Sequence, residues 1–185
     1  MINQSKWVVE NQSHLVRAST IKPRIDYATE IVDSLLDVLV SHKHDVNQNN
    51  LDLYHRLDSD AMLLSTLEKQ VKYELELSYT IESLRQVRRS LDCVVGLGNV
   101  STVLSPTISI VRTIRSKLLA LMPAMDFQLG ELSLLLGGII IDAAHLASLT
   151  LDFSKANEDS GRLLDEAKLI ADSKIYKQFP NLDFW

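Results

Sequence analysis

Turn-forming residues are what this chain has least of: six glycines and four prolines in 185 residues. With so few breaks, and with Leu, Ala, Glu, Lys and Arg common, the composition argues for an all-α protein. The single cysteine, Cys93, excludes an intrachain disulfide and fits a reducing, cytoplasmic setting. It lies in the apolar run Leu91–Val95 and reads as a small buried residue. Aromatics make up only 6% of the chain, so the core must be built mainly of Leu, Ile and Val, as in long helices packed side by side. The N-terminus lacks the early apolar core of a signal peptide. The most apolar stretch, Leu132–Leu151, contains Asp142 and His145, and its purely apolar part is too short for a bilayer, so it reads as a packed helix.

Catalytic machinery is missing too. No nucleophile elbow, phosphate-binding glycine loop or HExxH pattern occurs. His42, His44, Asp45 and His55 lack recognised ligand spacing and read as solvated polar residues. No enzyme activity, cofactor or metal is expected. A net charge of −5 argues against nucleic acid as a partner. The charge is unevenly spread: −2 over residues 1–89, +2 over 90–125 and −5 over 126–185. A cationic middle can attract an acidic end.

What is present is helical periodicity. From Pro23, a first-turn proline, Ile25, Ala28, Val32, Leu35, Leu39, His42, Val46, Asn49 and Leu53 alternate in steps of three and four. Asp58 or Ser59 can cap a second helix carrying Leu64, Leu67, Val71, Leu75, Ile81, Leu84, Leu91 and Val95, which ends at Gly96 and Gly98. These helices, each roughly 50 Å long at 1.5 Å per residue, predict an antiparallel hairpin over about 23–95. Ser105–Pro106 reads as the start of a third helix, Pro123 as a break, and Ala124–Phe153 as a fourth helix. The helical core is thus 23–153, with the further helices at about 105–153. Residues 1–22 form an N-terminal arm. Residues 154–185 hold a polar linker, an amphipathic helix and an apolar tail.

Several residues stand out as candidates for contact. Lys6, Trp7, Val8 and Val9 combine a cation with an interfacial aromatic, a pattern suited to a membrane surface. Arg85, Arg88 and Arg89 form a cationic turn near the end of the second helix, where they complement its dipole. Arg112 and Lys117 sit at the margins of a polar side of the third helix. Arg115 is set among Ile108, Val111, Leu118, Leu119 and Met122. Three roles fit it: snorkelling to lipid head groups, pairing with the acidic end at Asp165 or Glu166, or reaching a carboxylate of a neighbouring subunit. Phe179, Pro180 and Leu182 mark an apolar tail suited to docking.

The run from Ser90 to Ala143 resembles the middle of the archaeal ESCRT-III homologues, the CdvB family. The resemblance rests on Gly96 and Gly98, then Leu104 and Pro106, then Ile114, Arg115, Ser116 and Leu118. Met122–Pro123, Leu129–Gly130–Glu131–Leu132 and Gly138 follow in order. KPRIDYATEI at 22–31 resembles the start of the family's first helix, so the likeness spans about 22–180. It implies a long helical hairpin with shorter helices, polymerising on membranes into filaments that constrict necks in cell division or vesicle release. It implies as partners further copies of the chain, longer ESCRT-III-like paralogues, membrane lipid and an AAA ATPase of the CdvC type, which would take Phe179, Pro180 and Leu182. It places the protein at the inner face of the cell membrane, at the division site, as a short paralogue without a winged-helix domain. The first helix departs from the family, being rich in Asp and His rather than basic. The alternative is a soluble helical-bundle adaptor that binds a partner helix without polymerising.

Overall fold

The computed structural model describes residues 12–57 and 61–156, and among these the regular structure is entirely helical. Five α-helices follow one another: α1 Gln12–Ser19, α2 Ile21–His55, α3 Ala61–Asp92, α4 Val100–Leu121 and α5 Asp126–Ala156. Single 3-10 turns at Leu97–Asn99 and Pro123–Met125 lead into α4 and α5. The expected all-α fold with a long antiparallel hairpin followed by further helices is what the chain forms.

α2 runs unbroken through the polar stretch HKHDVNQNN, as its continuous apolar register requires. It buries Ile21, Ile25, Ala28, Ile31, Val32, Leu35, Leu39, Val46 and Asn50. The buried asparagine of the α2 seam is therefore Asn50 and not Asn49, which is exposed. α3 answers with Leu77, Thr80, Ile81, Leu84, Val87 and Leu91. Leu64, Val71 and Leu75, expected in the seam, point outward, and so does Val95. Two apolar stripes run along α3, and spacing alone does not say which one faces α2. Polar pairing decides it. His42 Nε2 and the Tyr73 hydroxyl share a hydrogen bond of 2.9 Å. Asn47 and Asn50 each donate through Nδ2 to one oxygen of Glu74, both at 2.8 Å.

Cys93 is exposed, against the expectation of a buried thiol. It falls just past the last residue of α3, and the chain there turns away from the core. Asn99 holds that turn: its Oδ1 accepts from the backbone N–H of Val95 and Gly96, at 3.2 and 3.3 Å, and its Nδ2 donates to Cys93 O at 2.8 Å. α4 then starts at Val100, five residues before the expected Ser105. Pro106 lies inside it and forgoes one backbone bond. Val100 and Leu104, both fully buried, hold the added turn in place.

α4 packs on α3 and on α5, and α5 also crosses α2 and α1. The buried face of α5, Leu129, Leu132, Leu136, Ile139, Ala143 and Leu146, completes one continuous core with Val111, Ile114 and Leu118 of α4. By length and composition the stretch Pro123–Leu149 is apolar enough to cross a bilayer. In the fold, one face of that helix is core. α1, within the expected N-terminal arm, is a helix that buries Leu15 and packs against α5.

Candidate interaction surface

Four of the cations singled out in the sequence, Arg85, Arg88, Arg89 and Arg115, lie against carboxylates of the same chain. Arg88 Nε donates to Asp33 of α2 at 2.8 Å, and its Nη1 bonds Asp92 one turn on. The Asp92 contact is the main cause, with Asp33 second, of an Arg88 guanidinium held even more firmly protonated than usual. Arg89 bonds Glu82 at 2.8 Å, with Arg85 at 3.8 Å from the same residue. The Arg89 contact comes first in holding the Glu82 carboxyl below its ordinary range. The basic turn of α3 is thus largely neutralised, and much of its cationic appearance in the sequence is spent on ties within the hairpin.

Arg115 has a partner that the sequence reading did not name. Its Nε and Nη2 donate to the two oxygens of Asp126 at 2.7 and 3.0 Å. This two-pronged contact spans the Pro123 elbow between α4 and α5, the geometry in which a guanidinium recognises a carboxylate best. The same guanidinium lies over Gly130, where an added Cβ would meet it at 3.1 Å. The hydrogen bond from Arg115 lowers the pKa of Asp126, and the pKa of Arg115 rises in turn. Lys117 is exposed on the side of α4 opposite Arg115, and Arg112, about one turn before Arg115, is exposed beside it. Lys6, Trp7, Val8, Val9, Asp165, Glu166, Phe179, Pro180 and Leu182 lie outside the described residues.

A second arginine, which sequence reasoning missed, ties three helices together. Arg24 of α2 donates to Asp142 of α5 at 2.7 Å and to the carbonyls of Arg17 and Thr20 at the end of α1, at 3.2 and 3.3 Å. Its guanidinium crosses Gly138. Three residues on, the Tyr27 hydroxyl donates to Glu131 at 2.8 Å, and this bond is the first cause of a raised tyrosine pKa. Arg24 belongs to the segment that resembles the family's first helix, but its partner is 118 residues away and no local spacing reveals it.

Between these ties opens a groove of about 950 Å³, lined by Arg24, Tyr27, Arg115, Phe127, Leu134 and Gly138 among others. Its floor is apolar and its arginines are already paired, so it suits an apolar side chain better than a free anion. Among the described residues no cluster of three or more His, Cys, Asp or Glu is placed to hold a metal ion.

Cell division protein B1 of Sulfolobus acidocaldarius is 27% identical over 122 residues, covering 66% of this chain and 57% of the relative. Cell division protein B of the same organism is 26% identical over 122 residues, covering 66% of this chain and 46% of the relative. The chain is thus similar to the CdvB cell-division proteins. It spans about half the length of the curated relatives it matches. No family model matches it, and no solved structure does. The glycine, Met-Pro and Leu-Gly-Glu steps that carry the likeness fall at the α3–α4 turn, the elbow and the start of α5.

Proposed function

We propose that this chain is an ESCRT-III-like subunit that polymerises on membranes into filaments used for constriction or scission in archaeal cell division or vesicle release. The observation that carries the proposal is the long, rigid hairpin with uncovered apolar side chains on its outer surfaces. Val38, Val40, Leu51 and Tyr54 on α2 and Leu64, Val71 and Leu75 on α3 are all exposed. Such surfaces are costly in a lone subunit and are covered when subunits stack. Its similarity to proteins named for cell division supports the setting. Membrane lipid, longer paralogues and an AAA ATPase of the CdvC type are the proposed partners. The inner face of the cell membrane at the division site is the proposed location.

Lipid contact on this reading does not run through the hairpin arginines, which are paired. It falls to Lys6, Trp7, Val8 and Val9, with affinity multiplied by polymerisation. The test is sedimentation over a concentration series at low salt, with and without vesicles containing anionic lipid, followed by electron microscopy of the pellets. Concentration-dependent pelleting, enhanced by vesicles and showing filaments, is the expected result. A chain that stays monomeric throughout and ignores vesicles would instead be the adaptor.

A further inference from the structure

The outward face of α5 does not fit an ordinary solvated helix. Phe127, Leu134 and Ile141 recur every seven residues along it, and are 79%, 80% and 56% exposed. They form one stripe about 21 Å long at 1.5 Å per residue. All three glycines of α5 flank this stripe: Gly130, Gly137 and Gly138. Each glycine inside a helix costs about 1 kcal/mol relative to alanine. Gly130 and Gly138 lie beneath Arg115 and Arg24, which accounts for them. Gly137 has nothing within 4 Å of where a Cβ would stand. Among the described residues, its lack of a side chain serves no contact.

We infer that this face pairs with the same face of a second copy, antiparallel, with Leu134 on the two-fold axis. The argument is the self-complementarity of the stripe. An antiparallel copy centred on Leu134 sets Phe127 against Ile141 of the other chain, an aromatic against a branched aliphatic, twice over. The same register sets Glu131, the one charged residue at the centre of the face, against Gly137 and the Arg24-covered Gly138 of the other copy. Gly137 leaves room for the longer side chain, and the Nη1 edge of Arg24, whose Nη2 is bonded to Asp142, lies over the adjacent Gly138 to meet it. A parallel pairing has no such fit, because Glu131 then faces Glu131. The seven-residue spacing is that of a helix pair packing at a shallow angle. One helix face is a small interface, in the size class of weak, reversible contacts. The pairing is isologous and closes on itself, so it joins two chains and does not by itself propagate a filament. It stands apart from the proposed membrane function, because it forms in lipid-free solution whether or not filaments do.

Disulfide trapping tests it in lipid-free buffer with full-length chain carrying Cys93→Ser. Leu134→Cys is expected to give a disulfide-linked dimer under mild oxidation, well above a control with the exposed Val40→Cys. Phe127→Cys mixed with Ile141→Cys is expected to cross-link, while neither does so alone. Leu134→Glu in the parent chain is expected to weaken dimerisation measured by sedimentation velocity at least about tenfold. Absence of the Leu134→Cys dimer overturns the pairing, and self-linking of Phe127→Cys overturns the antiparallel register. If the Leu134→Cys thiol of the monomer is shielded until residues 157–185 are removed, the occupant is the chain's own end. If it is shielded only when anionic vesicles are added, the occupant is lipid. Either result also overturns the proposal.

Discussion

Arg115 grips Asp126 with two parallel hydrogen bonds of 2.7 and 3.0 Å across the Pro123 elbow, eleven residues apart in sequence. The elbow sets the angle between α4 and α5, and so where the outer face of α5 points. Because Arg115 holds the folded-state pKa of Asp126 below its ordinary value, the pair's contribution is present above the ordinary carboxylate pKa. It is lost as pH falls through the lowered value.

The Asp126 carboxyl, followed by NMR, should therefore titrate below the ordinary value of 3.8 in the parent chain. It should move back up toward that value in Arg115→Gln. Lys117→Gln, on the far side of α4, should leave it in place. A carboxyl that titrates identically in the parent and Arg115→Gln would mean the contact does not persist in solution.

How far the fold was legible in the sequence depends on how local each determinant is. α2 and most of its buried face are legible because one stripe in steps of three and four runs along it; Asn49 stands there in place of Asn50, and buried Ile21 and Ile31 fall outside the stripe. α3 was readable as a helix but not in its orientation, because Leu64, Val71 and Leu75 make as good a stripe as Leu77, Ile81 and Leu84. The choice between them was made by Glu74, whose partners sit 24 and 27 residues away. Arg115 stood out as a charge among apolar neighbours, yet its partner lay past a proline, and the reading looked to the distant acidic end instead. The start of α4 was misplaced because Ser105–Pro106 is a good local start signal that burial of Val100 and Leu104 overrides.

The Asn47–Glu74–Asn50 cluster gives the hairpin its register. Asn50 is buried, and its Oδ1 has no hydrogen-bond partner among the described residues, so losing Glu74, which accepts from Nδ2, would leave the whole amide unpaired. Glu74→Ala should destabilise the fold by about 1–3 kcal/mol, since it leaves buried donors unpaired. Asn50→Leu combined with Glu74→Leu should recover most of that loss, because no buried polar group is left waiting except at the half-buried Asn47. Urea denaturation of the two variants and the parent checks this. A double variant no better than Glu74→Ala would show that the cluster supplies packing rather than hydrogen bonding.

Leu75 and Leu77 are two residues apart on α3 and should behave as opposites. Leu77 is fully buried in the seam, and Leu75 is 51% exposed on the outer stripe with Leu64 and Val71. Leu77→Ala should cost about 2–5 kcal/mol, the transfer term plus an unfilled cavity. Leu75→Ala should change stability by no more than about 0.5 kcal/mol, as surface substitutions do. Assembly should sort them the other way. If the outer stripe is covered between subunits, Val71→Ser with Leu75→Ser should raise the concentration needed for pelleting severalfold while leaving helicity and the urea midpoint near those of the parent. Adding salt should not restore it, because the lost term is apolar rather than coulombic. Leu77→Val, a milder core change, should lower the urea midpoint but leave the pelleting threshold where it was in conditions where both chains are folded. If the double serine variant pellets at the parent's concentration, the stripe on α3 faces water in the assembly too, and the contact between subunits must be sought on α2 or α5.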